Sequence, residues 1–422
     1  MPRKPGHRSS RKLSARTLLG ALPVVVLALA AFMVTLQVSV AGVFRSRIPP
    51  LALEFMPADA EARARLAGAL ASNNPIPQAR AAARALAHDA IRRDPLNPIA
   101  LRALGLARAT AVTSPGEEAQ AAAFFKAAER LSRRDQMTQL WLAELALRHG
   151  DIPSLMQHFD VALRTSSSDQ ETLFPLLAAA SADKRVSDAL IDRMRKKPGW
   201  AQPFATYLLD ARIPPETAAY IYRNTLSPKI PEQMTLIQSM MQHLAAAGNF
   251  GLARRLYDDF HLGTQKAGAN FVNDGGFESP KSVPPFAWSL VEQTDFWAAP
   301  QPRQGGGRYL ILSATGGRAG DLARQLLQLG PGSYRLSATA GNVPTTGYQR
   351  PTITLRCADG DKAVLITARP SAAGPEAQAI AGNFSVPGRC EFQWIAISLS
   401  GADTAPTDLP WIDDVTITRT GG

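Results

Sequence analysis

Hydrophobic and polar positions divide the chain into three regimes. Residues 18–44, LLGALPVVVLALAAFMVTLQVSVAGVF, carry no charged side chain over 27 positions. At the helical rise this is about 40 Å, enough to cross a hydrocarbon core of about 30 Å. From 58 to 265 apolar residues recur at helical spacing. Leu101, Leu104 and Ala107 share one face, as do Leu140, Ala143 and Leu147, and so do Leu155, Phe159 and Ala162. From 270 onward the period changes to two, in short runs bounded by Gly, Pro, Asn and Asp. Residues 333–338 alternate, 352–357 place Ile353, Leu355 and Cys357 on one face, and Cys390, Phe392, Trp394 and Ala396 share parity. Residues 413–418 read as a last strand. Many short strands with turns every 8–15 residues or so predict an antiparallel sandwich. The expected organisation is multidomain: a basic tail (1–17), one transmembrane helix (18–44), a linker (45–57), an all-α repeat domain (58–265) and an all-β sandwich (270–422).

The helix boundaries have local causes. In Asp94-Pro95-Leu96-Asn97-Pro98, Pro95 stops one helix, and Asn97 caps the next with Pro98 at its first position. Ser114-Pro115-Gly116-Glu117 and Ser168-Asp169-Gln170-Glu171 have the Ser-x-x-Glu form of a capping box. Gly150 and Gly248 stand where a left-handed residue would end a helix. Antiparallel pairs of such helices each carry a narrow apolar stripe, so neighbouring pairs must stack to bury it.

The formal charge of +11 is unevenly placed. Residues 1–47 hold eight Lys and Arg and no acid, 48–270 hold 26 bases and 22 acids, and 271–422 hold 12 bases and 13 acids. By the positive-inside rule the basic end, with Arg3, Lys4, Arg8, Arg11, Lys12 and Arg16, stays in the cytoplasm and the rest is exported. The expected location is a bacterial inner membrane, crossed once, with the bulk of the chain in the periplasm. A signal peptide cleaved after Ser39-Val40-Ala41 is the alternative, but the apolar run is about twice the usual length of that segment. The folded parts are near neutral, so no basic stripe points to nucleic acid. The two cysteines, Cys357 and Cys390, predict a disulfide in an oxidising compartment. No His follows His261 to complete a metal site with them, and no two of the other histidines form an i, i+4 ligand pair.

Two resemblances stand on particular segments. ALAHDAIRRDPLNPIALRALGLARA (85–109) resembles a tetratricopeptide-repeat junction, and 127–163 and 245–260 are similar to further copies. The offset from Asp94 to Asp135 is longer than that family's period, and 183–245 match faintly. The resemblance implies a helical solenoid whose groove takes a protein partner of the cell envelope. In the β region, Asn273-Asp274-Gly275-Gly276-Phe277-Glu278 with Trp288, the hairpin 329–336 (LGPGSYRL), and Trp411-Ile412-Asp413-Asp414-Val415 resemble jelly-roll carbohydrate-binding modules in order and spacing. The same sandwich serves many functions.

That second resemblance implies two sets of site residues. Glu278 and Asp413 occupy the positions of a structural calcium site in that superfamily, and hard oxygen donors suit the ion. The competing reading is a turn acid and a solvated strand-end acid. No other cofactor is expected. For glycan stacking the candidates are Trp297, Tyr309 and Tyr348, with Trp297 the best platform in what reads as a loop; Trp411 is a further aromatic. Trp288 and Trp394 are expected in the core, Trp394 because it shares parity with Cys390. No nucleophile elbow, His-Glu-x-x-His or phosphate loop occurs, and no two acids stand out as a glycosidase pair, so no enzyme is expected. The sequence thus predicts a non-catalytic, membrane-anchored periplasmic adaptor in envelope or exopolysaccharide assembly. The alternative is a protein that tethers polysaccharide through its sandwich.

Overall fold

Alanine sets the spacing of the first helices. The computed structural model describes residues 15–73, 76–109, 115–165, 170–263, 270–279, 283–303, 305–401 and 408–420. Most of the basic tail, the capping serines Ser114 and Ser168, and the change of pattern near 266–269 lie outside them. By contacts the chain falls into two compact units, Met1–Leu173 and Phe174–Gly422.

The first unit opens with α1 (Ala15–Phe44). Its Val26–Phe44 portion has a mean hydropathy of 2.2, and most of its large side chains from Val26 to Val43, Leu29 and Phe32 among them, are exposed. Such a helix is long and apolar enough to span a membrane. Within the segment read as a linker, Pro49–Phe55 forms α2. Arg45 then reaches Asp59 at 3.3 Å and Glu61 at 3.0 Å. There follow α3 (Ala60–Asn73), α4 (Pro77–Arg93), α5 (Pro98–Ala109), α6 (Pro115–Leu131), α7 (Gln136–Arg148) and α8 (Ile152–Thr165), packed as the pairs α3–α4, α5–α6 and α7–α8. Three layers of alanine, Ala64/Ala90/Ala100, Ala67/Ala87/Ala103 and Ala71/Ala83/Ala107, sit where α3, α4 and α5 meet. Methyl side chains at i, i+3 and i+7 in α3 and α5, and at i, i+4 and i+7 in α4, let three backbones approach closely. Gly105 extends this logic, since a Cβ there would stand 2.7 Å from the Phe125 ring.

The predicted punctuation is present. Asn97 Oδ1 accepts from the Ala100 N–H at 3.0 Å, with Pro98 first in α5. Gly150 and Gly248 adopt φ of 69° and 81° at helix ends.

The helix α9 (Gln170–Ala180) runs across the division between the units. The second unit continues with α10 (Lys184–Met194), α11 (Ala201–Tyr207), α12 (Pro215–Thr225), α13 (Pro231–Ala246) and α14 (Phe250–Asp259). Here aromatic residues replace the alanine seam: Phe174 and Phe204 meet edge-on at 5.2 Å, and the buried Tyr222 hydroxyl donates to Ala205 O at 2.6 Å.

The sandwich has strands β1 (Ser289–Leu290), β2 (Glu292–Gln293), β3 (Phe296–Pro302), β4 (Arg308–Ala314), β5 (Ala319–Gln328), β6 (Gly332–Gly341), β7 (Thr352–Cys357), β8 (Val364–Ala368), β9 (Gln378–Val386), β10 (Phe392–Ser400) and β11 (Trp411–Arg419). They form two antiparallel sheets in jelly-roll arrangement, β1-β5-β10-β7-β8 and β2-β3-β4-β11-β6-β9. The core between them includes Trp288, Leu310, Leu336, Ile353, Ile395, Ile412 and Ile417. The opening segment closes on the last strand: Val415 N–H donates to Gly275 O at 2.9 Å, and a Cβ at Gly275 would stand 1.9 Å from Val415 O. Only glycine permits that approach. Trp288 lies in the core as expected, its Nε1–H donating to Asp274 O at 3.1 Å. Cys357 and Cys390 are bonded, with their Cα atoms 5.5 Å apart.

Candidate functional site

The outer face of the five-stranded sheet is made by the residues that alternate with the core. Along β10, Ile395 and Ile397 point inward, so Phe392, Trp394, Ala396 and Ser398 point out. The register then places Trp394 between Leu326 of β5 and Arg356 of β7, and Ala396 beside Arg324. Helices α13 and α14 cover part of this face. Gly248 turns the chain after α13, and Phe250 at the start of α14 packs on Phe392 with ring centroids 5.8 Å apart. Further along α14, the Arg254 guanidinium lies 5.4 Å from both the Tyr257 and Phe286 rings, fastening helix to sandwich.

Between helix and sheet a cleft of about 1190 Å³ remains. Trp394, Ala396, Arg324 and Arg356 form its sheet side, Gln242, His243 and Phe250 its helix side, and Asp359 and Lys362 part of its rim. Trp394 is partly exposed there. The Arg324 guanidinium lies 5.1 Å from the centre of the Trp394 ring. Arg356 donates to Asp321 at 2.6 Å, and Asp321 also accepts from the Ser398 hydroxyl at 2.7 Å. The disulfide braces the rim, since Cys357 ends β7 immediately before Ala358 and Asp359.

Trp394 was expected in the core, and this corrects that expectation. Cys390 sits in a turn before β10, its N–H bonded to Pro387 O at 3.1 Å, so strand alternation does not run through it. The residue of β10 paired with the inward Cys357 is Gln393. Gln393 is fully buried and bonds the backbone of Leu329 and Cys390, which puts Trp394 outside.

The other aromatic candidates lie elsewhere. Trp297, read as a loop residue, is on strand β3, where it alternates with the core residues Phe296 and Ala298 and is partly exposed on the outer face of the six-stranded sheet. Tyr309 is on the same face and packs against Trp411 at 5.3 Å, with Arg303 over the Trp411 ring at 5.1 Å. Tyr348 stands apart in a short 3-10 turn, 68% exposed. The structure therefore brings Tyr309 and Trp411 together, places Trp297 on their sheet, and joins none of them to the cleft.

Glu278 and Asp413 do meet, on either side of Gly276: a Cβ there would be 3.7 Å from Glu278 Cγ and 3.8 Å from Asp413 Oδ1. Three of their four oxygens are engaged. Asp413 Oδ1 accepts from the Asp414 N–H at 2.8 Å, Asp413 Oδ2 lies 3.2 Å from Arg303, and Glu278 Oε1 accepts from the Arg308 N–H at 2.7 Å. Burial pushes the Asp413 carboxyl above its usual range, with the neighbouring Asp414 and Glu278 charges adding to the rise against the pull of Arg303 and the Asp414 N–H. A guanidinium faces the carboxylate that an ion would need, and among the described residues no three acidic, His or Cys side chains gather to hold a metal. The residues as arranged do not fit a calcium ion.

No family model matches the chain, and no curated protein matches it. Among solved structures, a CBM4 structure is similar to 35% of this chain over 99% of its own length, with 15% identity and a TM-score of 0.27. The CBM22-1 xylan-binding domain from Paenibacillus barcinonensis is similar to 37% of this chain over 97% of its own, with 13% identity and a TM-score of 0.26. The enzymatically active domain of tailspike protein 4 from bacteriophage CBA120 is similar to 36% of this chain at 15% identity and a TM-score of 0.28. This chain spans 22% of that tailspike chain. At such scores nothing about ligand or activity follows for this protein.

Proposed function

We propose that this protein is a membrane-anchored, non-catalytic glycan-binding protein whose ligand lies in the cleft on the five-stranded sheet. In this reading α1 is the anchor, the basic tail stays in the cytoplasm, and the body works in the periplasm in envelope or exopolysaccharide assembly. The helical pairs of the first unit act as an arm, and exposed apolar side chains such as Leu96 and Met137 give it a surface for a protein partner of the envelope.

The observation that carries the reading is the cleft itself. Its volume of about 1190 Å³ exceeds the range of about 300–1000 Å³ that suits one small ligand, leaving room for several sugar rings. It combines an indole with amide, imidazole and guanidinium groups, and a polyhydroxylated ligand needs both apolar faces and many hydrogen-bond partners. The non-catalytic part of the reading draws support from Asp321, whose carboxylate is held by Arg356 and Ser398.

The test is calorimetric titration of the full chain, in detergent micelles, with a panel of envelope and secreted oligosaccharides. Trp394→Ala is expected to abolish binding, and Trp297→Ala, on the opposite sheet, to leave it intact. The reverse result would move the site to the six-stranded sheet. No binding by the unaltered protein across the panel would sink the reading.

A further inference from the structure

A guanidinium already lies over the Trp394 ring, so a sugar stacking on that face would have to displace it. We infer that, given glycan binding in this cleft, the ligand is an acidic polysaccharide, one whose sugar rings bear uronic-acid carboxylates.

The cleft holds three fixed cations, Arg324, Arg356 and Lys362, against two carboxylates, Asp321 and Asp359. Their pairing is unequal. Arg356 and Asp321 satisfy each other at 2.6 Å, which removes that pair from play. Asp359 Oδ2 accepts from the Glu391 N–H of the segment before β10 at 3.3 Å, and its Oδ1 is buried with no hydrogen-bond partner among the described residues. Arg324 and Lys362 are exposed and have no carboxylate within ion-pair distance among the described residues. His243, on the facing helix, adds a further hydrogen-bonding group.

Arg324 has a particular geometry. Its guanidinium carbon stands 5.1 Å from the centre of the indole, and a guanidinium can meet a carboxylate in a two-pronged hydrogen bond. A neutral sugar would have to displace the guanidinium to reach the ring and would forfeit the cation–π contact. A uronate keeps that contact and adds a charged pair to it. Lys362 on the rim and the spacing of charges along an acidic chain would then act together. Hydrogen bonds to charged groups are among the stronger ones, so the acid form of a glycan should bind about tenfold or more tightly than its neutral form.

The experiment uses the full chain in detergent and three probes: oligogalacturonate, oligoalginate and hyaluronan fragments. Each is titrated beside its methyl-esterified form, which keeps the sugar backbone and removes the charge. Xylan and glucan oligomers provide neutral references, and poly-glutamate provides charge without sugar. The expected result is about tenfold tighter binding of at least one acid form over its ester, weakened by added salt. Arg324→Gln should remove that preference while neutral-oligomer affinity stays equal or improves, and Arg324→Lys should retain part of it. Equal binding of acid and ester, or a preference that survives Arg324→Gln, would overturn the inference. Poly-glutamate binding as tightly as the best glycan would do the same. If the neutral references bind and the acids do not, acid selectivity fails and glycan binding stands. If no glycan binds, both fail.

Discussion

The disulfide supports both the fold and the rim of the cleft, so its removal makes a quantitative test. Cys357 and Cys390 close a loop of 33 residues. Restricting the unfolded chain by a loop of that length is worth about 3–4 kcal/mol. Both positions are nearly inaccessible, at 3% and 1% exposure, so deleting the sulfurs and leaving each Cβ as a methyl group also loses packing. The double variant Cys357→Ala/Cys390→Ala is therefore expected to lose at least that much local stability. A global denaturation curve is a poor measure, because the chain has two units that need not unfold together. Amide hydrogen exchange read on peptides covering β7 and β10 reports the relevant opening directly. Each 1.4 kcal/mol is a factor of ten in an opening equilibrium, so protection there should fall several hundredfold or more. Peptides of α3 to α5, in the other unit, should not change. The reasoning fails if protection in β7 and β10 falls by less than about tenfold. It also fails if the helices of the first unit lose protection equally, since the bridge would then not be acting on its own loop.

Three further changes have defined outcomes. Gly341→Ala would place a Cβ 2.3 Å from the Trp411 ring, and relieving that overlap should cost about 1–3 kcal/mol, read as lost exchange protection in β6 and β11; in a Trp411→Ala background the same substitution should cost almost nothing. Asn97→Ala removes the side-chain cap of α5 and should lower exchange protection in α4 and α5 by an amount equivalent to about 1 kcal/mol, with no effect if the cap is ornamental. Asp413 carries a carboxyl raised above 3.8, so the folded state holds its proton more tightly than the unfolded chain, and its contribution to stability declines as pH rises from 3.8 through the raised value. The Asp413→Asn variant should therefore gain on the unaltered protein as pH increases across that window. A stability difference that stays constant with pH would refute the assignment.

Local causes made much of the fold legible. Proline, asparagine and glycine fixed helix ends at Asn97-Pro98, Gly150 and Gly248 without help from distant residues. Alternation located β7 to its terminal residues, because Ile353, Leu355 and Cys357 all face one core. The faint stretch after 183 has a physical reason as well. There the helices are joined by Phe174, Trp200, Phe204 and Tyr222 rather than by alanine, and a seam of large rings has no short repeating signature. What α13 and α14 cover was not legible, since it depends on packing against strands more than a hundred residues away, such as Phe250 on Phe392.

The site shows why a face cannot be assigned by counting from a cysteine. A disulfide fixes where two sulfurs are, and both of these are in the core. It does not fix where the strand begins. Only Glu391 separates Cys390 from β10, and one residue outside the pleat inverts every later position. The residue that defeats the count is Gln393. A glutamine flanked by Phe392 and Trp394 reads as the outward member of an alternating run, yet two backbone groups of the neighbouring strand end and turn receive its amide inside the sandwich. That fully satisfied buried amide lets the indole beside it face outward. The exposed Trp394 is thus a consequence of the buried Gln393. Gln393→Leu, which keeps the volume but leaves Leu329 N–H and Cys390 O without their partner, should loosen the β5–β10 pairing and weaken the cleft together. Loss of exchange protection at Leu329 with ligand affinity unchanged would show that the two are independent, and would refute the link.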